Sequence, residues 1–340
     1  MRPLISVLII AHNRKTYIKE AVDSVLNQSL NREHYEVIVI KNFNSPDIDN
    51  YLHSNNVLNI YTNAESLGGK IREGIKASHS NIISFLEDDD LWEKNKLEKV
   101  LEIFNTNDNI GYMHNNYKLI DESANRLNGS LFKDDYKPYI INTNDLSLNK
   151  IRKAIKIGAF FNLSCISIKK DILINKLEGL KKMQVAVDNF MFYSALNSTY
   201  NLFISDEKLT KYRIHKDNNS ISVENNLNKF IRKMEYFIDE NIRGYKIIET
   251  YINKPSIKKY IIARLFLSHC ANGIFKHYKG EKYSEITFFK FLKTFYVLRS
   301  VDVLLIYPVY LISNWFPKLS IKIYFWHEQK RLQKLFKKAI

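Results

Sequence analysis

The chain has 340 residues with a formal net charge of +15; at 45% hydrophobic and 26% charged it has the makeup of a folded protein, which excludes a disordered one. Ten glycines and six prolines exclude a loop-rich or low-complexity architecture, and Cys165 and Cys270, far apart and without a CxxC spacing, exclude a disulfide framework or a cysteine zinc site. Such a charge attracts nucleic acid, anionic lipid headgroups or phosphate-bearing substrates, or is simply a solvated basic surface; the basic residues are dispersed and no nucleic-acid motif is present, so nucleic acid is not an expected partner.

The start, Met1-Arg2-Pro3 before a short apolar run, lacks the length and cleavage pattern of a signal peptide, which predicts a reducing, cytoplasmic setting. Leu4 to Ile10 is a continuous apolar run, as expected of a strand buried on both faces. Thr16 to Gln28 then places Ile18, Ala21, Val22 and Val25 at helical spacing. Tyr35 to Ile40 repeats the strand signal, Val57 to Tyr61 gives a weaker one, Lys70 to Ser78 reads as a short helix, and Asn81 to Leu86 is again a strand. Glu93 to Phe104 is amphipathic, with Leu97, Val100, Leu101 and Phe104 on one stripe. This alternation predicts an α/β fold with a parallel sheet covered on both sides. Ligands of such sheets bind at the carboxyl ends of the strands, which points to His12-Asn13-Arg14, Lys41-Asn42 and Glu87 to Asp90. Further on, Phe160 to Ile168 and Leu209 to Ile214 read as strands and Val187 to Leu196 as a helix, giving a first domain of residues 1–222.

Residues 223–340 read as a helical, basic and aromatic region. Leu227, Phe230, Ile231, Met234, Phe237 and Ile238 form one helical stripe, and Ile257 to Phe275 forms another. Val301 to Phe316 is apolar but interrupted by Asp302 and Pro308, and shorter than the roughly 20 residues a crossing helix needs, so an interfacial or re-entrant element is expected. The end carries Lys330, Arg331, Lys334, Lys337 and Lys338 beside Leu332, Leu335 and Phe336. That basic amphipathic tail suits an anionic membrane surface, or else packs on the domain with its lysines in water.

Four consecutive carboxylates, Glu87-Asp88-Asp89-Asp90, repel one another and call for a positive partner. Mg²⁺ or Mn²⁺ takes such oxygen ligands together with substrate phosphates and stabilises a departing phosphate. The alternative is a helix N-terminus decorated with acids, for the helix from Glu93 onward. The stretch from Ile5 to Trp92 resembles the family-2 glycosyltransferases of the GT-A fold. Ser6 to Arg14 is similar to that family's opening strand, which ends in Pro-Thr-Tyr-Asn-Arg; Glu36 to Ile40 resembles its second strand; Asn81 to Trp92 resembles its DXD segment. Leu209 to Ser220, containing Tyr212-Arg213-Ile214-His215, resembles its Tyr-Arg-x-His-x-x-Asn-x-Ser segment.

The resemblance implies a GT-A domain with a C-terminal helical extension, and a metal-dependent inverting glycosyltransferase. Its donor is a UDP- or GDP-linked sugar, and its acceptor a hydroxyl of a glycan or lipid-linked molecule. Asp89 and Asp90, with His215, then serve the divalent metal (Mn²⁺ or Mg²⁺). Glu87, Asp88 and Arg213, together with Ala11, His12, Asn13, Arg14, Asn42 and Lys70, then face the donor. Asp188, an acid at the mouth of the apolar helix from Val187, matches the position of the catalytic base, unless it is an ordinary helix N-terminal acid. Three departures stand out. Lys41-Asn42-Phe43-Asn44-Ser45 replaces Asp-Asp-Gly-Ser after the second strand, removing the acid that pairs with uracil and leaving Asn42 or Asn44 to hydrogen-bond a base. His12 replaces a tyrosine. Gly68 and Gly69 let the backbone approach the donor, with Lys70 or Arg72 facing phosphate, or else mark only a flexible loop. A peripheral contact with the inner face of the cell membrane is expected of the C-terminal region. The competing functional reading is a catalytically silent nucleotide-sugar-binding protein on the same fold.

Overall fold

Seven consecutive buried residues, Ile5–Ala11, make the first strand, β1. The computed structural model describes residues 2–215, 226–284 and 286–339, with the side chains of 331–339 outside that description. The chain divides into two units, one of Met1–Leu146 and Lys153–His215, the other of Ser147–Arg152 and Lys216–Ile340. The expected domain boundary at 222/223, and Asn219 and Ser220 of the downstream motif, lie outside the described residues.

After β1 the chain runs α1 (Ile18–Leu26), β2 (Tyr35–Lys41), α2 (Pro46–Ser54), β3 (Leu58–Tyr61), α3 (Leu67–Ala77), β4 (Ile82–Glu87), β5 (Leu91–Trp92), α4 (Lys96–Thr106) and β6 (Ile110–Ile120). There follow β7 (Arg126–Leu127), β8 (Tyr139–Ile141), α5 (Leu148–Lys156, partly in the second unit), β9 (Ile166–Lys169), α6 (Asp171–Ile174), α7 (Leu177–Leu180), α8 (Val187–Leu196) and β10 (Asn201–Arg213). The strands form one sheet in the order β3-β2-β1-β4-β9-β6-β10-β5, with β7 on β6 and β8 on β10.

β1 pairs in parallel with β2 and β4, and β2 with β3, as the alternating pattern predicts. β6 and β10 also pair in parallel, but the sheet as a whole departs from an all-parallel one: β9 runs antiparallel to β4 and β6, and β5 antiparallel to β10. The registers set Ala11 opposite Lys41 and Ile10 opposite Glu87, so the residues that follow these strands leave the sheet along one edge. Ile18, Ala21, Val22 and Val25 of α1 and Leu97, Val100 and Phe104 of α4 join Val7, Ile9, Val39 and Leu86 in one core.

Two sequence expectations are corrected. The four acids do not decorate a helix N-terminus, because β5 intervenes and α4 begins only at Lys96. Phe160 to Ile168 is a strand only from Ile166; before it Asn162 turns the chain with φ +66° and Leu163–Cys165 form a 3₁₀ turn. Asparagine tolerates that left-handed conformation better than most residues, and here it breaks an apolar run that otherwise reads as one strand.

The second unit contains α9 (Leu227–Thr250), α10 (Pro255–Tyr278), α11 (Phe288–Leu298), α12 (Val301–Ser313) and α13 (Pro317–Ala339). Its core joins Phe230, Ile231 and Ile238 to Phe266, Ile274 and Phe275, and to Tyr307, Tyr310 and Ile321. Pro308 lies within α12. Among the described residues no helix is long and apolar enough to cross a membrane.

Candidate active site

The turn after β4 carries the acids. Glu87 ends the strand, with its backbone N–H donating to Ser164 Oγ at 2.9 Å. Asp88, Asp89 and Asp90 are all buried. Arg14, just beyond β1, places Nη2 2.5 Å from Asp88 Oδ1 and 2.7 Å from Asp89 Oδ2. His215, just beyond β10, brings Nε2 to 2.9 Å from the same Asp89 oxygen and 3.1 Å from Arg14 Nη1. Residues 201 positions apart thus converge on one carboxylate.

The electrostatics reflect crowding. Burial first, then the charges of Asp89, Asp90, Asp188 and Asp88, push the Glu87 carboxyl well above the ordinary range. Burial and Asp89 raise Asp88 to about 7, against the pull of Arg14. Burial lowers the Arg14 pKa, but Asp88 and Asp89 outweigh it and hold the guanidinium above its ordinary value.

Asp90 plays a different part from the metal ligand expected of it. Oδ2 accepts from Asn162 Nδ2 at 2.9 Å and from Ser164 Oγ at 2.6 Å, and Oδ1 accepts from the Arg213 backbone N–H at 2.9 Å. With three protein donors on two oxygens, Asp90 fastens the acidic turn to the loop at Asn162 and to β10. Arg213 likewise faces inward instead of toward a diphosphate. Its fully buried guanidinium donates to the Asp89 and Glu122 carbonyl oxygens at 2.7 Å each, pairs with Glu20 at 2.7 Å, and stacks over Tyr17. A buried charge needs this kind of saturation by partners, which a phosphate contact would have to break.

We expect Asp90→Ala to destabilise the chain by about 3 kcal/mol, because it strands three buried donors at once. Asp90→Asn, which restores an acceptor, should lose less; denaturant unfolding followed by circular dichroism measures both.

The remaining expected residues sit around this centre. Ala11 is buried at the end of β1, and His12 beside it is exposed, with burial first and then Lys70 and Arg14 lowering its imidazole pKa. Asn13 (φ +57°) and Asn42 bond reciprocally: Asn13 N–H to Asn42 Oδ1 at 2.9 Å, and Asn42 Nδ2 to Asn13 Oδ1 at 2.8 Å. Lys41 turns away to Asp49 at 2.8 Å. Lys70 is buried, donates to the Ala64 carbonyl at 2.8 Å, and has its pKa lowered by burial. Arg72 faces Glu73 and Glu178, not a phosphate pocket. Gly68 serves packing, since a Cβ there would lie 1.8 Å from the Leu180 carbonyl oxygen.

Asp188 occupies the first turn of α8 and accepts from the Asn189 N–H at 2.8 Å. Burial raises its carboxyl to about 6, against the opposing pull of the backbone N–H groups of Asn189 and Asn162. Ala186 ahead of it holds a left-handed φ of +55°, a strained geometry for a residue with a Cβ. Asn162 therefore touches both Asp90 and Asp188. Sequence reasoning missed Asn162 and Ser164, and also Lys96. The Lys96 ammonium is buried over Trp92 and donates to Ser164 O and Thr210 Oγ1, and burial lowers its pKa to about 7. The available signal was an Asn-Leu-Ser interruption inside an apolar run.

Among the described residues no cluster of three or more His, Cys, Asp or Glu side chains could hold a metal ion by itself. The residues nevertheless fit a cation that arrives with a diphosphate. Asp88 Oδ2 is buried with no hydrogen-bond partner among the described residues, in the same turn as Asp89, whose Oδ2 lies 2.9 Å from His215 Nε2. Carboxylate oxygens of this turn would supply part of a cation's ligand set and leave the remaining positions for substrate oxygens.

A mixed sheet with an acidic turn at its carboxyl edge, with an arginine, a histidine and a separate half-buried aspartate, has the makeup of a sugar-nucleotide-type transferase of the GT-A class. Residues 6–171 match the model of glycosyl transferase family 2, so this part of the chain is a family 2 glycosyltransferase domain. The chain is 25% identical to an uncharacterized glycosyltransferase of Nostoc sp. over 78% of this chain and 79% of that protein. It is 24% identical to one of Haemophilus influenzae over 73% of this chain and 83% of that protein. Its fold is similar to crystal structures of S. aureus TarS 1–349. With UDP the TM-score is 0.56 at 13% identity, covering 97% of this chain and 92% of that one. With UDP-GlcNAc the TM-score is 0.54 at 14% identity over the same shares.

Proposed function

We propose that this chain transfers a sugar, with inversion, from a nucleotide diphosphate donor to a hydroxyl of a glycan or lipid-linked acceptor. We place it at the inner face of the cell membrane, which the second unit contacts peripherally. The observation that carries the reading is the convergence of Arg14, Asp88, Asp89 and His215 on one point at the carboxyl edge of the sheet. The TarS structures with UDP and UDP-GlcNAc favour a uridine donor. The loss of the acid after β2 leaves the base to Asn42, whose amide both donates and accepts.

Each residue then has a task. Arg14 moves from the carboxylates to the donor diphosphate as the negative charge there builds up. Asp89 and His215, with the Asp88 oxygen, would hold Mn²⁺ or Mg²⁺, which would neutralise charge on the departing diphosphate. Asp188 takes the proton of the acceptor hydroxyl as its oxygen bonds to the anomeric carbon and the bond to the diphosphate breaks. Asp90 and Arg213 keep the turn from shifting. Lys70 and His12 line the approach from β1 and α3.

A panel of UDP- and GDP-sugars with Mn²⁺, followed by nucleoside diphosphate release, tests the proposal. Release should occur with a subset of donors and stop with a chelator. Failure of UDP and GDP to bind by calorimetry, with Mn²⁺ present, would leave a protein without this activity.

A further inference from the structure

The outward face of α11 and α12 is built unlike the rest of the second unit. In α11, Thr294, Val297 and Leu298 turn inward, while Phe288, Phe289, Leu292, Phe295 and Tyr296 face solvent. Those outward positions recur at helical spacing and form one stripe. In α12, Val303, Tyr307 and Tyr310 enter the core, while Val301, Leu304, Leu305, Pro308 and Leu311 form a second, solvent-facing stripe. A helix apolar on both sides, with only one side covered by protein, is not finished by its own fold. Phe291 of α11 stacks on Tyr307 of α12 at 4.2 Å and 14°, so the two helices are packed together through their inward faces. Arg152 donates to the carbonyl oxygens of Tyr296 and Val297 and closes the end of α11. The largest rings are nearly bare: Phe289 is 76% exposed, Tyr296 66% and Trp315, just beyond α12, 73%.

Charge selects the occupant. Between Phe288 and His327 the chain has the basic residues Lys290, Lys293, Arg299, Lys318 and Lys322, and a single acid, Asp302. That acid is held by Ser300 at 2.9 Å. Lys290 and Lys293 are exposed on the same helix as the aromatic stripe. Exposed aromatic rings interleaved with lysines match a bilayer interface, where rings enter the headgroup boundary and cations meet anionic lipid. A protein partner would need acidic complementarity over an apolar area of this kind, and an anionic membrane supplies both at once.

We propose that α11 and α12 dock on an anionic bilayer surface, with Phe289, Tyr296 and Trp315 entering the interface and Lys290 and Lys293 meeting the headgroups. This rests on and deepens the peripheral contact proposed above, and assigns it to this helix pair in place of the basic C-terminal tail. The test is read without donor, acceptor or metal, so its failure leaves the transferase reading untouched.

The full chain is mixed with sucrose-loaded vesicles of phosphatidylcholine, or of phosphatidylcholine with phosphatidylglycerol, and sedimented. The wild type should pellet with the anionic vesicles and remain largely in solution with the neutral ones. Phe289→Glu with Trp315→Glu should lower partitioning by more than about tenfold, since burial of either ring is replaced by a charge. Lys290→Glu with Lys293→Glu, which leaves the apolar stripe intact, should remove the preference for anionic vesicles. Both substitutions are at exposed positions, so unchanged melting curves should accompany them. The proposal is overturned if the wild type ignores both vesicle types or if the double glutamate variant pellets like wild type. It is also overturned if light scattering shows a vesicle-independent oligomer that the glutamates dissociate, which would give the face to a second copy of the chain.

Discussion

Asp188→Asn is expected to lower the rate of sugar transfer by about 10²–10⁴-fold with donor binding retained, the loss typical of removing a general base. In the first turn of α8, Asp188 is raised from its ordinary 3.8 to about 6, because burial disfavours its charged form more than the backbone N–H groups of Asn189, Asn162 and Asp188 itself favour it. A base of that strength is ionised at neutral pH and still basic enough to draw a proton from a hydroxyl in the transition state. Wild-type kcat/KM should therefore fall as pH drops through about 6. The stability sign runs the other way. A carboxyl whose folded pKa is raised stabilises the fold fully below 3.8, and that contribution is lost as pH rises through about 6. At pH above that window a neutral asparagine relieves the cost, so Asp188→Asn should melt no lower than wild type. Lost turnover with an undiminished melting temperature isolates the chemistry. An acid limb centred near 3.8, or full activity in the asparagine variant, would remove Asp188 from the mechanism.

What sequence could reveal here was edges, and what it concealed was direction. Ile10, Ile40 and Leu86 end apolar runs, and a carboxyl-edge rule applied to them found Arg14, Asn42 and Glu87 to Asp90 without coordinates. Membership in the family region followed from the same strands. Arg213 shows where that reasoning stops. An arginine that faces a phosphate and one that is buried behind the turn have the same neighbours in sequence, and only the Asp89 and Glu122 carbonyls distinguish them. Gly68 is similar, since its need for space comes from Leu180, far along the chain. Asn162 and Ser164 were missed because hydrogen bonds that span more than seventy residues leave no periodic trace. The mixed sheet was missed for the same reason: antiparallel insertion of β9 between β4 and β6 is a matter of pairing, not of pattern.

Asp89→Ala is expected to lower kcat/KM by about 10²–10³-fold and to abolish Mn²⁺ binding in the presence of UDP. In the free chain the Asp89 carboxylate meets Arg14 at 2.7 Å and His215 at 2.9 Å, so two groups lose their common acceptor when it is removed. Asp88 retains Arg14, and Asp90 keeps its three donors, so the turn itself should stay in place. That separates this variant from Asp90→Ala: the first should unfold near the wild-type midpoint while losing metal, the second should lose stability first. Electron paramagnetic resonance of Mn²⁺ reads the difference directly. Arg14 lies between the two carboxylates in the donor-free chain, and a guanidinium and a divalent cation repel each other across so short a gap. Mn²⁺ alone should thus bind far more weakly than Mn²⁺ with UDP, whose phosphates offer Arg14 another anion. Binding by wild type that is equally tight with and without UDP would show that Arg14 does not guard the site. Retained Mn²⁺–UDP binding in Asp89→Ala would move the cation to other ligands.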